Sequence, residues 1–141
     1  MSRTSPCFDN PLLSSFDDTL RRRLSLVLNV ELDDKQWSQA TLPVHMGGLG
    51  VTSACMLASS AFLASAAATL PLQDAILAES VQSIEDHTVT EAKSIWIARA
   101  NITIPTETKK HVQKAWDTPN TTAISNRLLD DDFNTLTDWL D

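Results

Sequence analysis

The sequence predicts an all-α fold, an irregular bundle of about seven short helices in a single domain or domain fragment covering residues 1–141. Apolar residues recur at three- and four-residue steps through most of the chain, which is typical of amphipathic helices. N-cap residues and prolines separate these runs. The only strand-like piece, Ile102-Thr103-Ile104, is too short to support a sheet. A hydrophobic content of 43% in 141 residues supports one buried core.

The first two helices have clear start signals. Asn10 is a suitable N-cap and Pro11 a suitable first helical residue, so a helix is predicted from here to about Asn29. Asp33 is predicted to cap a short second helical turn carrying Trp37. The first helix is expected to present one apolar face, formed by Leu13, Phe16, Leu20, Leu24, Val27 and Leu28.

A structural turn is predicted at residues 47–50, after Pro43. The three glycines of the chain, Gly47, Gly48 and Gly50, all lie here. Because glycine reaches positive φ without steric cost, this spacing indicates a sharp reversal or a close backbone approach. The same glycines could cradle a phosphate before a helix N-terminus. The Walker lysine and a preceding strand are both missing, so the structural interpretation is preferred.

An alanine-rich helix is predicted over residues 54–69, opened by Ser53 and closed by Thr69-Leu70-Pro71. No Asp, Glu, Lys or Arg occurs between Gln36 and Gln73, which raises the question of a membrane span. Prolines and glycines bracket this run, and serines and alanines dilute its hydrophobicity. A buried helix of a soluble domain, without a membrane partner, is therefore expected.

The second half of the chain is predicted to contain several more short helices. Their expected starts are residue 72 for a helix to about 84, a Thr88–Glu91 capping box, Pro105, Thr118-Pro119, and Asp130-Asp131-Asp132. Asp117-Thr118-Pro119 is expected to end the helix that Pro105 begins. Residues 1–8 are expected to be disordered, and residues 130–141 to be loosely packed.

Charge and cysteine content exclude several functions. A net charge of −7 disfavours autonomous binding to nucleic acid or to an anionic membrane surface, because both need an excess of Lys and Arg. Cys7 and Cys55 are too few for a disulfide framework or a metal knuckle. The N-terminus lacks the apolar segment of a secretory signal, so an intracellular location is expected, in cytoplasm or nucleus.

Catalytic and metal-binding patterns are not evident. Asp17 and Asp18 are adjacent on a predicted helix, so they point about 100° apart and are expected to form a solvated face. Asp130-Asp131-Asp132 lacks the spacing of a calcium loop and is interpreted as a helix cap. His45, His87 and His111 have no ligand partner at a metal-binding spacing, and His45 is expected to be a partly buried turn residue. No cofactor, metal or small-molecule substrate is expected.

Several segments together resemble the region that follows the polymerase palm in reverse-transcriptase proteins of non-LTR retrotransposons. The match extends from about Asp9 to Thr118 and is most specific where Trp-Ser-Gln-Ala-Thr-Leu-Pro-Val is followed by Gly-Gly-Leu-Gly. The segments are Asp9-Asn10-Pro11-Leu12-Leu13, Leu32-Asp33-Asp34-Lys35-Gln36-Trp37-Ser38-Gln39-Ala40-Thr41-Leu42-Pro43, Gly47-Gly48-Leu49-Gly50-Val51, Ala61-Phe62-Leu63-Ala64-Ser65-Ala66-Ala67 and the weaker Lys114-Ala115-Trp116-Asp117-Thr118-Pro119.

The resemblance implies a non-catalytic, thumb-side helical segment of an RNA-directed DNA polymerase, whose partners are the palm and an RNA/DNA duplex. The chain is not expected to be an enzyme on its own, because the Tyr/Phe-x-Asp-Asp motif of the palm, with its metal-binding aspartates, is missing. It is interpreted as a retrotransposon-derived piece of such a protein. The residues that could contact duplex phosphates are Arg21, Arg22, Arg23, Lys109, Lys110 and Lys114.

A second hypothesis is a small helical protein–protein interaction module. The small residues of the alanine-rich helix could form a groove for a partner, and four tryptophans could act as interface anchors. An exposed apolar patch is expected if a palm covers part of this segment in the parent protein.

Overall fold

A computed structural model of the chain describes residues 7–77, 87–100, 104–105 and 112–138. Within these ranges the chain is all-helical and contains no strand, which confirms the predicted fold class. The described part holds five α-helices and one 3-10 helix, so the predicted count of about seven is not confirmed. The helices are α1 (Pro11–Leu28), α2 (Asp34–Thr41), α3 (Ala54–Leu77), α4 (His87–Ala100) and α5 (Gln113–Asp138), and Val44–Met46 forms the 3-10 helix.

The predicted caps of α1 and α2 are confirmed. The Asn10 side chain accepts a hydrogen bond from the Leu12 amide, at 2.9 Å, and α1 ends at Asn29 in the left-handed conformation. Asp33 and Gln36 form a reciprocal capping box at the start of α2. These signals are local, because cap and capped amides lie within three residues of each other. Sequence alone therefore locates these helix ends correctly.

Two predicted helix boundaries at prolines are wrong. Helix α3 continues through Pro71 to Leu77, and α5 continues through Pro119. Proline removes one backbone donor, but its fixed φ is close to the helical value, so the turns on either side keep their own bonds. In α5 the residues before and after Pro119 are held by packing, because Trp116 and Asn120 are both buried. The cost of the missing bond is therefore outweighed.

Several other predicted helix starts differ from those in the structure. Asp130, Asp131 and Asp132 lie inside α5 and do not cap a new helix. Helix α4 begins at His87, one residue before the predicted cap Thr88. Pro105 is not helical, and α5 begins at Gln113. Residues 78–84 of the predicted 72–84 helix and residues 106–111 lie outside the described residues.

Helix α3 lies at the centre of the fold and contacts α1, α4 and α5, while α2 packs against α5. The indole rings of Trp96 and Trp116 meet edge to face with centroids 5.0 Å apart. Phe8 packs against Phe62, although residues 1–8 were expected to be disordered; Phe8 is only 8% exposed. The main buried cluster consists of Phe8, Ala58, Leu63, Ala64, Ala92, Trp96 and Trp116.

The stretch Ala54–Gln73 of α3 is long and apolar enough to cross a membrane by length and composition alone. The central helix of a soluble bundle passes the same test. In this structure 39% of the stretch is buried, and its small residues contact the neighbouring helices. Ala58, Ala61 and Ala64 are each less than 5% exposed, so close helix packing explains the absence of larger side chains there.

Candidate functional site

Arg21, the first of the predicted nucleic-acid contacts, is used inside the fold. Its Nε donates a hydrogen bond to the Leu32 carbonyl at 3.0 Å, and its Nη2 donates to the same oxygen. Its Nη1 lies 2.7 Å from Asp34 Oδ1. The guanidinium therefore closes the connection between α1 and α2. A guanidinium engaged in this way has few donors left for a phosphate.

The other basic candidates that the structure describes are exposed side chains on two helices. Arg22 and Arg23 are exposed on α1, and Lys114 is exposed on α5. Lys109 and Lys110 lie outside the described residues. The accessible part of the predicted duplex surface on α1 is therefore the Arg22–Arg23 pair.

The Gly47–Gly50 segment folds back on the end of α2. Gly47 has φ +82° and Gly50 has φ +71°, in the range that favours glycine. The Leu49 and Val51 amides both donate to the Ala40 carbonyl at 3.2 Å. Pro43 precedes the 3-10 helix, and its carbonyl accepts hydrogen bonds from Met46 and Gly48.

Gly48 is required for a different reason, which is space. A Cβ on Gly48 would lie 2.0 Å from the Leu42 carbonyl oxygen, whereas a Cβ on Gly47 would meet nothing within 4 Å. The Gly50 amide donates to that same Leu42 oxygen at 2.8 Å. The amides of all three glycines thus donate to backbone carbonyls of residues 42–44.

Asp17 has a role that is not predicted from the sequence, because it bonds to the start of α3. It is 8% exposed, so the predicted solvated face is wrong for Asp17, although Asp18 is exposed. The Asp17 carboxylate accepts hydrogen bonds from Ser53 Oγ at 2.6 Å and from the Ala54 amide at 2.7 Å. The Cys55 amide donates to it at 3.2 Å. A carboxylate here also interacts favourably with the positive end of the α3 dipole.

Ser53 is itself the predicted cap of α3, because its hydroxyl accepts a hydrogen bond from the Met56 amide at 3.3 Å. On the opposite side of the same turn, Arg99 of α4 donates to the Cys55 carbonyl at 2.7 Å. Burial raises the pKa of the Cys55 thiol, and a hydrogen bond with Asp17 raises it further. The first turn of α3 is thus fixed by charged side chains from α1 and α4.

A second buried polar contact joins α3 to α5. The Ser60 hydroxyl donates to Asp117 Oδ1, and Gln113 donates to the other carboxylate oxygen at 3.3 Å. The neighbouring Ser59 hydroxyl and the Asn120 Oδ1 are buried, and within the described part of the chain they make no hydrogen bond. Ser59 and Asn120 are enclosed by the helices, so we interpret them as residues that pack the interior.

The remaining acidic and histidine candidates are on the surface. Asp130, Asp131 and Asp132 are exposed, and Asp132 forms an ion pair with Lys35 of α2. The hydrogen bond between Lys35 and Asp132 is the main reason that the pKa of Lys35 is raised. His45 is exposed, not partly buried as predicted, and His87 is exposed; His111 lies outside the described residues. Among the residues that the structure describes, no group of three metal-ligating side chains occurs.

Only part of the apolar face of α1 packs against the core. At 100° per residue, Leu12, Phe16, Leu26 and Val27 fall within about 100° of arc, and we call these four residues the α1 stripe. Their exposed fractions are 72%, 57%, 68% and 81%. Phe16 and Val27, two residues of the predicted apolar face, are therefore largely exposed to solvent. The side of α1 turned to the core carries buried Asp17 and half-buried leucines: Leu13, Leu20 and Leu24.

The small residues of the alanine-rich helix are only partly covered: Ala58, Ala61 and Ala64 are buried, whereas Ala68 is exposed. Trp96 and Trp116 are 0% and 1% exposed, so they are core residues and not interface anchors. Trp37 is half-buried, and Trp139 lies outside the described residues. Large apolar side chains are exposed on the α1 stripe and also at Leu70, Leu72 and Ile76 of α3.

A small open groove of about 290 Å³ lies between α2 and α5. Its lining mixes both charges with two apolar side chains, and Lys35 in it is already paired with Asp132. No convergent set of polar groups marks a ligand there. The lining residues are Asp34, Lys35, Ser38, Ile124, Arg127, Leu128 and Asp131.

Comparison of the chain with family models, with curated proteins and with solved structures gives no match. A functional proposal for this chain therefore depends on its motifs and on the contacts that its side chains make.

Proposed function

We propose that this chain is a non-catalytic, retrotransposon-derived helical segment that supports the palm and the template–primer duplex within an RNA-directed DNA polymerase. The proposal starts from the resemblance of five segments between Asp9 and Thr118 to the region that follows the palm. The proposal also assigns a purely structural role, as a turn, to four residues: Pro43, Gly47, Gly48 and Gly50.

The observation that carries the proposal is that the resembling segments contact one another. The segment containing α2 and the glycine segment are joined at the Ala40 carbonyl, which accepts two amides. The first segment leads into α1, whose Asp17 caps the helix that contains Ala61–Ala67. The Trp116–Asp117 pair contacts α4 and α3 through Trp96 and Ser60. These contacts support the proposed role of the five segments as one framework.

Arg22 and Arg23 are the residues that we propose contact duplex phosphates in the parent protein. Both are exposed, whereas Arg21 is bonded to the Leu32 carbonyl and to Asp34. With a net charge of −7, the isolated chain is expected to bind an RNA–DNA hybrid only weakly and only at low salt.

The decisive test of ancestry is the complete transcript that contains this coding sequence. An in-frame region upstream that encodes a palm with paired aspartates on a hairpin supports the proposal. An unrelated reading frame upstream, or a transcript that encodes only an unrelated protein, contradicts it.

The duplex contact is tested by retention of the chain on an immobilised RNA–DNA hybrid between 50 and 200 mM salt. The Arg22→Ala/Arg23→Ala variant is expected to lower the slope of log affinity against log salt by about 2, because two phosphate contacts are lost. Arg127→Ala, an exposed arginine of α5, is the matched control. An equal loss of retention in both variants would contradict a specific role of Arg22 and Arg23. So would the absence of any retention of the parent chain at low salt.

The second candidate function is a small helical interaction module. It is favoured by the α1 stripe, four large apolar side chains that are 57–81% exposed on one helix. A chain that stays monomeric and binds no apolar dye would argue against this second function.

A further inference from the structure

The α1 stripe carries a pattern that is complementary to itself. Leu12 and Phe16 lie toward its N-terminal end, and Leu26 and Val27 toward its C-terminal end. By the helix repeat, exposed Arg23 falls within the arc of the stripe, between Leu12 and Phe16 in angle. An apolar face with one embedded cation needs a partner that offers apolar contact and a group that accepts the cation.

We propose that the α1 stripe is a homodimer surface on which two copies of this chain pair their α1 helices antiparallel. With the twofold axis near residues 19 and 20, Leu12 of one copy faces Val27 of the other. Phe16 then faces Arg23, and this contact occurs twice because the interface is symmetric. A guanidinium over a phenyl ring is a favourable cation–π pair.

The charges select the antiparallel arrangement. In a parallel pair, each residue meets its own copy, so Arg23 would face Arg23 and the two like charges would repel. In the antiparallel pair the two Arg23 side chains lie on opposite sides of the twofold axis, and each faces Phe16 of the other copy. Arg21 does not take part, because it is bonded to Asp34 and to the Leu32 carbonyl of its own chain.

The size of the surface indicates a weak dimer. An 18-residue helix is about 27 Å long, and the apolar part of this surface consists of four side chains. Such an interface is below the roughly 1,200 Å² at which specific stable complexes begin, so the dissociation constant is expected on the order of 100 μM. Because each copy carries a charge of −7, added salt should strengthen the association by screening the repulsion. A nucleic acid bound through Arg22 and Arg23 would respond to salt in the opposite way. The pairing goes beyond the support role proposed above and does not depend on it. Because Arg23 faces Phe16 in the pair, a paired chain does not present Arg23 to a duplex.

Sedimentation equilibrium of the full chain, at protein concentrations from 10 μM to 1 mM and at two salt concentrations, measures the association. Phe16→Ser and Val27→Ser are expected to weaken it at least tenfold. Ile76→Ser, at a 70% exposed position of α3, is the matched control and should leave the dissociation constant unchanged. Since the three replaced side chains are exposed, circular-dichroism melts should show that all variants keep the parent fold.

The register is tested by cysteine cross-linking with Cys7 and Cys55 both replaced by alanine. Thr19→Cys should link to itself near the twofold axis, and Leu12→Cys should link to Val27→Cys but not to itself. A monomer at 1 mM, a dimer unaffected by Phe16→Ser and Val27→Ser, or self-linking of Leu12→Cys would each overturn the proposal. None of these outcomes bears on the palm-coding transcript, so the two proposals fail separately.

Discussion

The Asp17 carboxylate of α1 accepts a hydrogen bond from the Ser53 hydroxyl at 2.6 Å and from two backbone amides at the start of α3. One side chain thus caps a helix that begins 37 residues later. The first amides of a helix have no partner within it, so an external carboxylate satisfies them and also interacts with the helix dipole.

Asp17→Ala is expected to lower the free energy of unfolding by about 2–4 kcal/mol, because buried donors lose a charged acceptor. Urea unfolding followed by circular dichroism measures the change. Asp18→Ala, at the exposed neighbouring position, should change stability by less than about 0.5 kcal/mol. Equal effects of the two substitutions would contradict the capping role.

Gly48→Ala is expected to destabilise the chain more than Gly47→Ala. The new Cβ at residue 48 would lie 2.0 Å from the Leu42 carbonyl oxygen, so backbone must move, at a cost of about 2–3 kcal/mol. At residue 47 the cost is the positive φ alone, about 1–2 kcal/mol, since the space is open. The two melting temperatures measured side by side give the order, and a reversed order would refute this geometry.

Trp96→Phe is expected to cost about 2–3 kcal/mol. The indole N–H of Trp96 donates to the Trp116 carbonyl at 3.1 Å, and phenylalanine removes this donor and leaves a void in the core. The adjacent Ile97→Val, at a 40% exposed position, should cost less than about 0.5 kcal/mol. Chemical unfolding of both variants tests the difference, and a Trp96→Phe chain of parent stability would exclude the hydrogen bond.

Ser59→Ala and Ser60→Ala are expected to act in opposite directions, although the two residues are neighbours and both are fully buried. The Ser59 hydroxyl makes no hydrogen bond with the described residues, so its removal should be neutral or stabilising by up to about 1 kcal/mol. The Ser60 hydroxyl donates to Asp117, so its removal should cost about 1–3 kcal/mol. Thermal melts of the two variants provide the comparison; destabilisation by Ser59→Ala similar to that by Ser60→Ala would be inconsistent with this difference.

The Cys55 thiol is expected to react slowly with iodoacetamide at neutral pH, because burial and the Asp17 carboxylate raise its pKa above the ordinary 9.0. The pH profile of its alkylation should move to lower pH in Asp17→Asn and to higher pH in Arg99→Gln, since Arg99 lowers the pKa. A profile insensitive to Asp17→Asn would contradict the contact. Because the folded-state pKa is raised, the associated stability is present below pH 9.0 and is lost as pH rises through the folded value.

The sequence predicts well what depends on residues close together in the chain. The Asn10 cap, the end of α1 near Asn29 and the Asp33 cap are examples, because each signal and its partner lie within a few residues. The predicted ends at Pro71 and Pro119 are wrong. At Pro119 core packing outweighs the local signal, because Trp116 and Asn120 are buried. The residues around Pro71 are exposed, and no packing contact explains why the helix continues there.

The positions of charged side chains were less predictable. The sequence predicts surface positions for Asp17 and Arg21. In the structure, Asp17 instead bonds to Ser53, and Arg21 bonds to the Leu32 carbonyl. Those partners are 36 and 11 residues away, and only the path of the folded chain brings them near. A hydrophobic period identifies an amphipathic helix, but it does not say how much of the apolar face neighbouring helices will cover.

The carboxylate that caps α3 from α1 also has an evolutionary consequence. A gene rearrangement that kept α3 but lost α1 would leave the first amides of the central helix without their acceptor. The two helices are therefore expected to be inherited as one unit, so that recombination breakpoints compatible with folding fall outside residues 17–55.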